Sequence, residues 1–289
     1  MRTSTINNYL SLVKFSHTIF AMPFAIIGFT LATIRAGVGV SLQNLLYVLL
    51  CMVFARSAAM AFNRYLDRDI DLSNPRTANR EIPAGIIKAS NALFFVILNC
   101  ILFCIVCYLI NPLCLSLAPV ALAVVLGYSF TKRYTALCHL VLGLGLSLAP
   151  IGAYLAVTGH FSVLPILFSF IVLFWVGGFD IIYALQDEEF DKSKNLHSIP
   201  TWLGRKGALN FSRLMHVLSA IFVVFAGFYG QFGKLYVIGA LFFVFFLIYQ
   251  HKLVKPNDLS RVNFAFFTLN GIASVIFGVF VVADIIWKL

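Results

Sequence analysis

MVFARSAAMAFNRYLDRDID, residues 52–71, reads as the end of a long apolar helix that runs into a cluster of aspartates. Asn63, Asp67 and Asp71 are spaced i, i+4, i+8, so a continuing helix presents all three on one face. Arg56 lies two turns further back on that face. A second stretch, FDIIYALQDEEFD at 179–191, is built the same way. There Tyr183, Asp187 and Asp191 share a face, and Asp180 lies about one turn deeper. Like charges four residues apart destabilise a helix. Two such pairs, each closing an apolar run, require a cation.

The apolar runs themselves decide the fold class. A bilayer-spanning helix needs about 20 mainly apolar residues. Nine such spans are predicted, at roughly 15–35, 42–62, 91–110, 113–130, 136–157, 163–186, 209–229, 235–251 and 262–286. The chain of 289 residues is 61% hydrophobic and only 11% charged, whereas soluble domains are about 25% charged. These numbers exclude a water-soluble fold and imply an all-α integral membrane protein forming a single polytopic domain over residues 1–289. The first span is too long for the apolar core of a signal peptide and lacks a small-residue cleavage site, so it reads as a membrane helix.

Loop charge predicts the orientation. Seventeen of the 21 Lys and Arg fall at the N-terminus or in the segments after spans two, four, six and eight. Only Arg35, Lys234 and Lys288 fall on the other side, and Arg56 lies inside span two. The N-terminus is therefore expected in the cytoplasm. The net charge of +10 then reflects topology, and nucleic acid is not an expected partner. The two long polar loops, from about residues 63 to 90 and 187 to 207, are both on the cytoplasmic side. They hold eight of the eleven acids. Each acid cluster is followed by Ile-Pro (Ile82-Pro83 and Ile199-Pro200) and then a Gly, a weak internal repeat.

Carboxylate oxygens suit Mg²⁺, which keeps several waters and bridges protein carboxylates to substrate phosphates. Asn63, Asp67, Asp71, Asp187 and Asp191 are the candidate ligands. Arg64, Arg68, Arg76, Arg80, Lys132, Arg133, Lys192 and Lys194 surround them and suit phosphate oxygens. The pattern describes a Mg²⁺–diphosphate site opening into an apolar cavity. Arg56 is the one Lys or Arg well inside a span, where a charge is expensive and usually functional. It has three open readings: partner to an aromatic carboxylate, partner to a phosphate, or a structural pair with an intramembrane acid such as Asp180. Tyr183 is read equally as a diphosphate donor or as helix packing. His17 reads as structural or substrate-lining. His139, His160, His216 and His251 show no partner pattern. Trp175, Trp202 and Trp287 read as cavity or interface aromatics. The six Cys lie in or beside apolar runs, and Cys104-x-x-Cys107 lacks further zinc ligands, so all six read as small hydrophobes.

N-R-Y-L-D-R-D-I-D with N-P-R-T-A-N-R-E-I-P-A-G after it resembles the first signature of the UbiA superfamily of intramembrane prenyltransferases. Y-A-L-Q-D-E-E-F-D resembles the second, and Y-S-F-T-K-R at 128–133 is similar to a further stretch of that family. The common N-D-x-x-D form is varied here, with Arg64 in its second position. The resemblance implies about nine helices around a central cavity and Mg²⁺-dependent transfer of a prenyl chain from a polyprenyl diphosphate to an aromatic acceptor. By position it carries the metal and catalytic roles onto Asp67, Asp71, Asp187 and Asp191, with Asn63 as a further ligand. Arg56, Arg64, Arg68, Arg80, Lys132, Arg133, Asp180 and Tyr183 are the expected substrate contacts. L-V-K-F-S-H-T-I-F-A-M-P-F near the start resembles the 4-hydroxybenzoate branch, of respiratory quinone synthesis. D-K-S-K-N-L-H-S-I-P at 191–200 resembles a sub-branch using 1,4-dihydroxy-6-naphthoate in the futalosine route to menaquinone. The expected location is the inner membrane, with the site near the cytoplasmic face. A transporter of an anionic small molecule is the rival of another class. It would put polar, broken helices near the midplane, whereas here the polar weight is at one end.

Overall fold

The computed structural model describes residues 5–13 and 20–288. Among the described residues twelve α-helices follow one another, and no strand forms. They are α1 (Thr5–Leu12), α2 (Met22–Thr30), α3 (Leu42–Leu66), α4 (Arg68–Ser73), α5 (Ala89–Ile110), α6 (Pro112–Thr131), α7 (Cys138–Thr158), α8 (Val163–Ala184), α9 (Glu188–Ser193), α10 (Ile199–Tyr229), α11 (Lys234–Leu253) and α12 (Asn270–Trp287). Eight of the helical segments are long and apolar enough to cross a membrane. A ninth, Met22–Arg35, is shorter among the described residues. Lys14 and His17, at the start of that predicted span, lie outside the described residues.

Local chemistry sets the helix ends. Ser41 Oγ accepts the Asn44 N–H and starts α3. Asn111 Oδ1 accepts the Cys114 N–H while its Nδ2 donates to the Leu155 carbonyl, so one side chain starts α6 and ties it to α7. Ser198 and Thr201 form a capping box ahead of α10, with Pro200 in its first turn. α10 begins about ten residues before the predicted span at 209. Gly204, at φ 66° and ψ 174°, breaks its first turns from the rest, a conformation that glycine adopts at low cost.

Helix association in a bilayer depends on close approach and buried polar bonds rather than on expelling water. Gly28 lies against the Pro150 carbonyl and Gly143 against the Leu173 carbonyl, with no room at either for a methyl group. Trp175 is fully buried, donates its indole N–H to Asn270 Oδ1 at 3.0 Å, and packs between Phe24, Phe179 and Phe243. This aromatic core fills the space among α2, α8, α11 and α12. Trp202 and Trp287 are exposed, as befits interface aromatics. The other half of the bundle packs through smaller clusters around Ala58, Val48 and Phe103 that leave an open space between them. A cavity of about 400 Å³ lies among α3, α5, α6 and α7. Cys51, Cys107 and Cys114 line it, and all six cysteines are free.

Candidate active site

The two predicted acid faces form where two helices break. α3 ends at Leu66, and Asp67 sits at φ −90°, ψ 5° before the short helix α4. α8 ends at Ala184, one 3₁₀ turn follows, and Asp187 sits at φ −102°, ψ 2° before α9. Both residues occupy the sparsely populated bridge between helix and strand conformations, common at active sites. The continuous helices expected from the spacing are thus each kinked at the first aspartate. The i, i+4 register survives, since the Asp71 N–H still donates to the Asp67 carbonyl at 2.7 Å.

Apart from Arg64, which is on α3, the basic residues come from outside these helices. Lys132 Nζ lies 2.8 Å from Asp67 Oδ2, and Arg133 Nη2 lies 2.7 Å from Asp67 Oδ1. Both follow the C-terminus of α6. Asn63 Nδ2 donates to Asp67 Oδ2 at 3.1 Å. Arg80 Nη1 reaches Asp71 Oδ1 at 2.7 Å, with Arg64 3.9 Å from the other oxygen. Asp67 and Asp71 are both buried. A buried carboxylate costs several kcal/mol unless paired, and here each has its cation.

The loop after α4 then crosses to the second cluster. Asn74 Nδ2 donates to Asp187 Oδ1 at 3.3 Å, and Arg76 clasps the same carboxylate through Nε at 2.9 Å and Nη2 at 2.5 Å. Arg76 Nη1 also donates to the Tyr183 hydroxyl at 3.1 Å. Burial alone would lower the Arg76 pKa, but its bonds to Asp187 outweigh that and raise it. Asp191 takes no hydrogen bond from a described side chain, although Asp187, Lys132 and Arg76 are all within electrostatic reach. The loop at 74–76 and the α6 terminus therefore bring the two clusters together.

The remaining residues divide. Arg68 turns away: it lies over the Tyr65 ring, 4.8 Å from its centroid, and donates to the Tyr65 carbonyl. Lys192 pairs with Glu188, and Lys194 lies over Phe190. Arg56 lines the apolar cavity, and its buried Nε has no hydrogen-bond partner. No described acid pairs with it. The structural pairing of Arg56 with Asp180 is corrected by the geometry, because Asp180 Oδ2 instead bonds His139 Nδ1 at 2.7 Å. Tyr128 is the polar group near Arg56.

Sequence reasoning left three participants unassigned. His139 is one. Asn74 is another, its side chain too ordinary to mark it. Glu81 is buried in the first loop, bonded by the Ser11 hydroxyl of α1, with one carboxylate oxygen unpaired. An acid one residue from Arg80 in a basic loop was the available signal.

Residues 21–272 match the family model described as UbiA prenyltransferase family. The chain belongs to the UbiA prenyltransferase family. It is a prenyltransferase of the membrane, similar along most of its length to curated relatives. One, the 4-hydroxybenzoate octaprenyltransferase of Nitrosomonas europaea, is 32% identical over 81% of this chain and 80% of that protein. The enzyme of the same name from Shewanella piezotolerans is 28% identical over 78% of each. Among solved structures, a UbiA homologue from Aeropyrum pernix K1 superposes with a TM-score of 0.83 at 32% identity, covering 93% of this prenyltransferase and 98% of that chain. A UbiA homologue from Archaeoglobus fulgidus, solved with GPP and Mg²⁺, shares the fold at a TM-score of 0.73 and 20% identity, over 96% and 99% of the two chains.

The candidate donor set, Asn63, Asp67, Asp71, Asp187 and Asp191, offers oxygen, which fits a hard divalent cation. Among the described residues no three acidic, histidine or cysteine side chains converge to enclose an ion. That suits Mg²⁺ shared with a substrate phosphate rather than an all-protein cage. Asp71 Oδ2, buried and without a hydrogen bond, and the uncommitted Asp191 are the open positions.

Proposed function

We propose that the chain transfers a polyprenyl group from a polyprenyl diphosphate to a hydroxylated aromatic acid, 4-hydroxybenzoate or a close analogue, in respiratory quinone synthesis. The observation that carries the acceptor assignment is Arg56. A guanidinium held in an apolar cavity without an acid of its own is costly. An aromatic carboxylate entering that cavity supplies the missing charge through two parallel hydrogen bonds, while the ring suits the apolar walls. The names of the curated relatives support the same acceptor.

In this reading Asp67, Asp71, Asp187 and Asp191, with Asn63 beside them, would hold Mg²⁺, which would supply positive charge against the leaving diphosphate. Lys132, Arg133, Arg80 and Arg64 exchange carboxylate partners for phosphate oxygens and stabilise the charge that develops as the allylic C–O bond breaks. Tyr183 and Arg76 close the second cluster over the diphosphate. The diphosphate departs with the bonding electron pair. The ring carbon beside the hydroxyl attacks the allylic carbon, and the hydrogen on that ring carbon leaves as a proton. The cavity walls exclude water, which would otherwise capture the cation. The whole chain acts as one domain, with the acid clusters at the cytoplasmic face of an inner membrane, as the Lys and Arg asymmetry indicates.

The stretch at 191–200 favours a second acceptor, 1,4-dihydroxy-6-naphthoate, which shares the carboxylate and the hydroxylated ring. Purified protein given a polyprenyl diphosphate and both acids decides between them by mass spectrometry of the products. Prenylated hydroxybenzoate is the expected result. Prenylated naphthoate alone moves the assignment to the second acceptor, and product from neither overturns the acceptor class.

A further inference from the structure

Arg64 is where the first motif departs from its common form, and in the structure it stands near two acids. It lies in the last turn of α3 and is 5% exposed. Its Nη1 is 3.9 Å from Asp71 Oδ2, an ion pair too long for a hydrogen bond. Arg80, by contrast, holds Asp71 Oδ1 at 2.7 Å. Asp71 Oδ2 and Arg64 Nε are both buried and take no hydrogen bond. The second acid within electrostatic reach of Arg64 is Glu81. It is 8% exposed, and its Oε2 is also buried without a hydrogen bond. Glu81 is anchored through its other atoms. Its Oε1 accepts from the Ser11 hydroxyl of α1, and its carbonyl accepts the Ile87 N–H at 2.9 Å. Arg80 and the Tyr128 hydroxyl complete the charged and polar groups that act on this guanidinium.

Two acids that share one buried guanidinium compete for it, and the more firmly held acid keeps it off the other. Glu81 is tied to α1, whereas Asp71 is a candidate metal ligand with one oxygen free of hydrogen bonds. In the reading above, on which this inference rests, Asp71 would turn to Mg²⁺ when the site fills. We propose that Glu81 is the positioning residue of Arg64. It draws the guanidinium back from Asp71, which leaves Oδ2 open to the cation. It also remains as the counter-charge of Arg64 once Asp71 is committed, in a place where a lone guanidinium would be costly. Arg64 then stays beside the site with N–H donors left for phosphate oxygens. Glu81 acts by charge and position alone, and no covalent step is added.

The test is Mn²⁺ binding by full-length protein in detergent with inorganic diphosphate present, read from the electron paramagnetic resonance signal of free Mn²⁺. The variants are Glu81→Gln, Arg64→Gln and the two combined. If Glu81 holds Arg64 off Asp71, a neutral glutamine lets the guanidinium close on Oδ2 and compete with the cation. Glu81→Gln should then weaken Mn²⁺ binding roughly tenfold, the value of one charge-assisted bond. With Arg64→Gln already present that competitor is gone, and adding Glu81→Gln should change binding by less than about twofold. A tenfold loss with and without Arg64 overturns the proposal, because Glu81 then acts on the cation itself. Unchanged binding in Glu81→Gln overturns it too. Should Glu81→Gln not fold, Ser11→Ala removes only the bond that anchors the carboxylate. It should weaken binding about threefold in the presence of Arg64 and not in Arg64→Gln, and equal effects in the two overturn the proposal. Asp71→Ala tests the underlying reading separately. Mn²⁺ binding that survives Asp71→Ala unchanged removes both. Binding lost in Asp71→Ala, with Glu81→Gln effects that do not depend on Arg64, removes only this inference.

Discussion

The two acid clusters share a design and differ in how their charges are met. Asp67 and Asp71, at the end of α3, are buried and ion-paired with Lys132, Arg133, Arg80 and Arg64, with Asp71 Oδ2 taking no hydrogen bond. Asp187 and Asp191, at the end of α8, are half-buried; one is clasped by Arg76 from the first loop, and the other has no bonded partner. The first cluster is therefore part of the framework as well as the site. The second leaves Asp191 without a hydrogen-bonded partner, and in the proposed reading the cation and the diphosphate complete it. Kinks at Asp67 and Asp187 make the same local geometry serve both purposes.

Removing an acid should separate these roles. Asp67→Ala, Asp71→Ala, Asp187→Ala and Asp191→Ala should each lose roughly a thousandfold or more in kcat, the equivalent of several kcal/mol of transition-state stabilisation. Stability should divide them. Asp67→Ala leaves Lys132 and Arg133 without their carboxylate in a partly buried site and should be destabilised by about 3–5 kcal/mol. Asp191→Ala breaks no bond and should melt within a degree or two of the wild type. Thermal unfolding in detergent checks this, and equal Tm losses in the two variants would erase the distinction.

A smaller effect is expected at Arg56, which belongs to neither cluster. Arg56→Leu should raise the acceptor KM by about a hundredfold, the value of a lost charged pair, with little change in the prenyl diphosphate KM. Arg56→Lys should recover only part, because an ammonium lacks the planar two-bond fork. A rise confined to the prenyl diphosphate KM would assign Arg56 to phosphate instead.

Arg76 sharpens the comparison further, since it is the charged residue that, with Asn74, bonds the second cluster to the first loop. Arg76→Ala should raise the prenyl diphosphate KM roughly tenfold, about one lost charge-assisted bond. Arg68→Ala is the control. Its guanidinium lies on Tyr65 and beside the exposed Asp69 rather than on the cluster acids, and the variant should keep its activity within about twofold. Steady-state kinetics of the two variants side by side decide it, and a large loss in Arg68→Ala would show that the site reaches further out than the geometry indicates.

Much of this architecture was legible in the residues. Apolar run length fixed the spanning helices, because in a bilayer each helix must satisfy its own backbone and long-range packing has little say in where it begins. The i, i+4, i+8 acids marked the candidate site for a similar reason, being close together in sequence. What the sequence hid was non-local. Nothing in the spacing of His139 pointed to Asp180 or Ile199, 41 and 60 residues away. Arg68 and Arg80 look alike as neighbours of acids, yet one folds back on Tyr65 and the other onto Asp71. The start of α10 before Gly204 was missed because its polar first turns lack the apolar signature of a span.

The central claim is that two facing acid clusters bind a diphosphate through a divalent cation. The most direct test is release of diphosphate and formation of prenylated acid by purified protein stripped of metal, then supplied with Mg²⁺. Turnover should fall to background in excess chelator, return on adding Mg²⁺, and fail to return in Asp191→Ala at matched Mg²⁺. Full turnover with metal removal confirmed, or wild-type rates in Asp191→Ala, would contradict it.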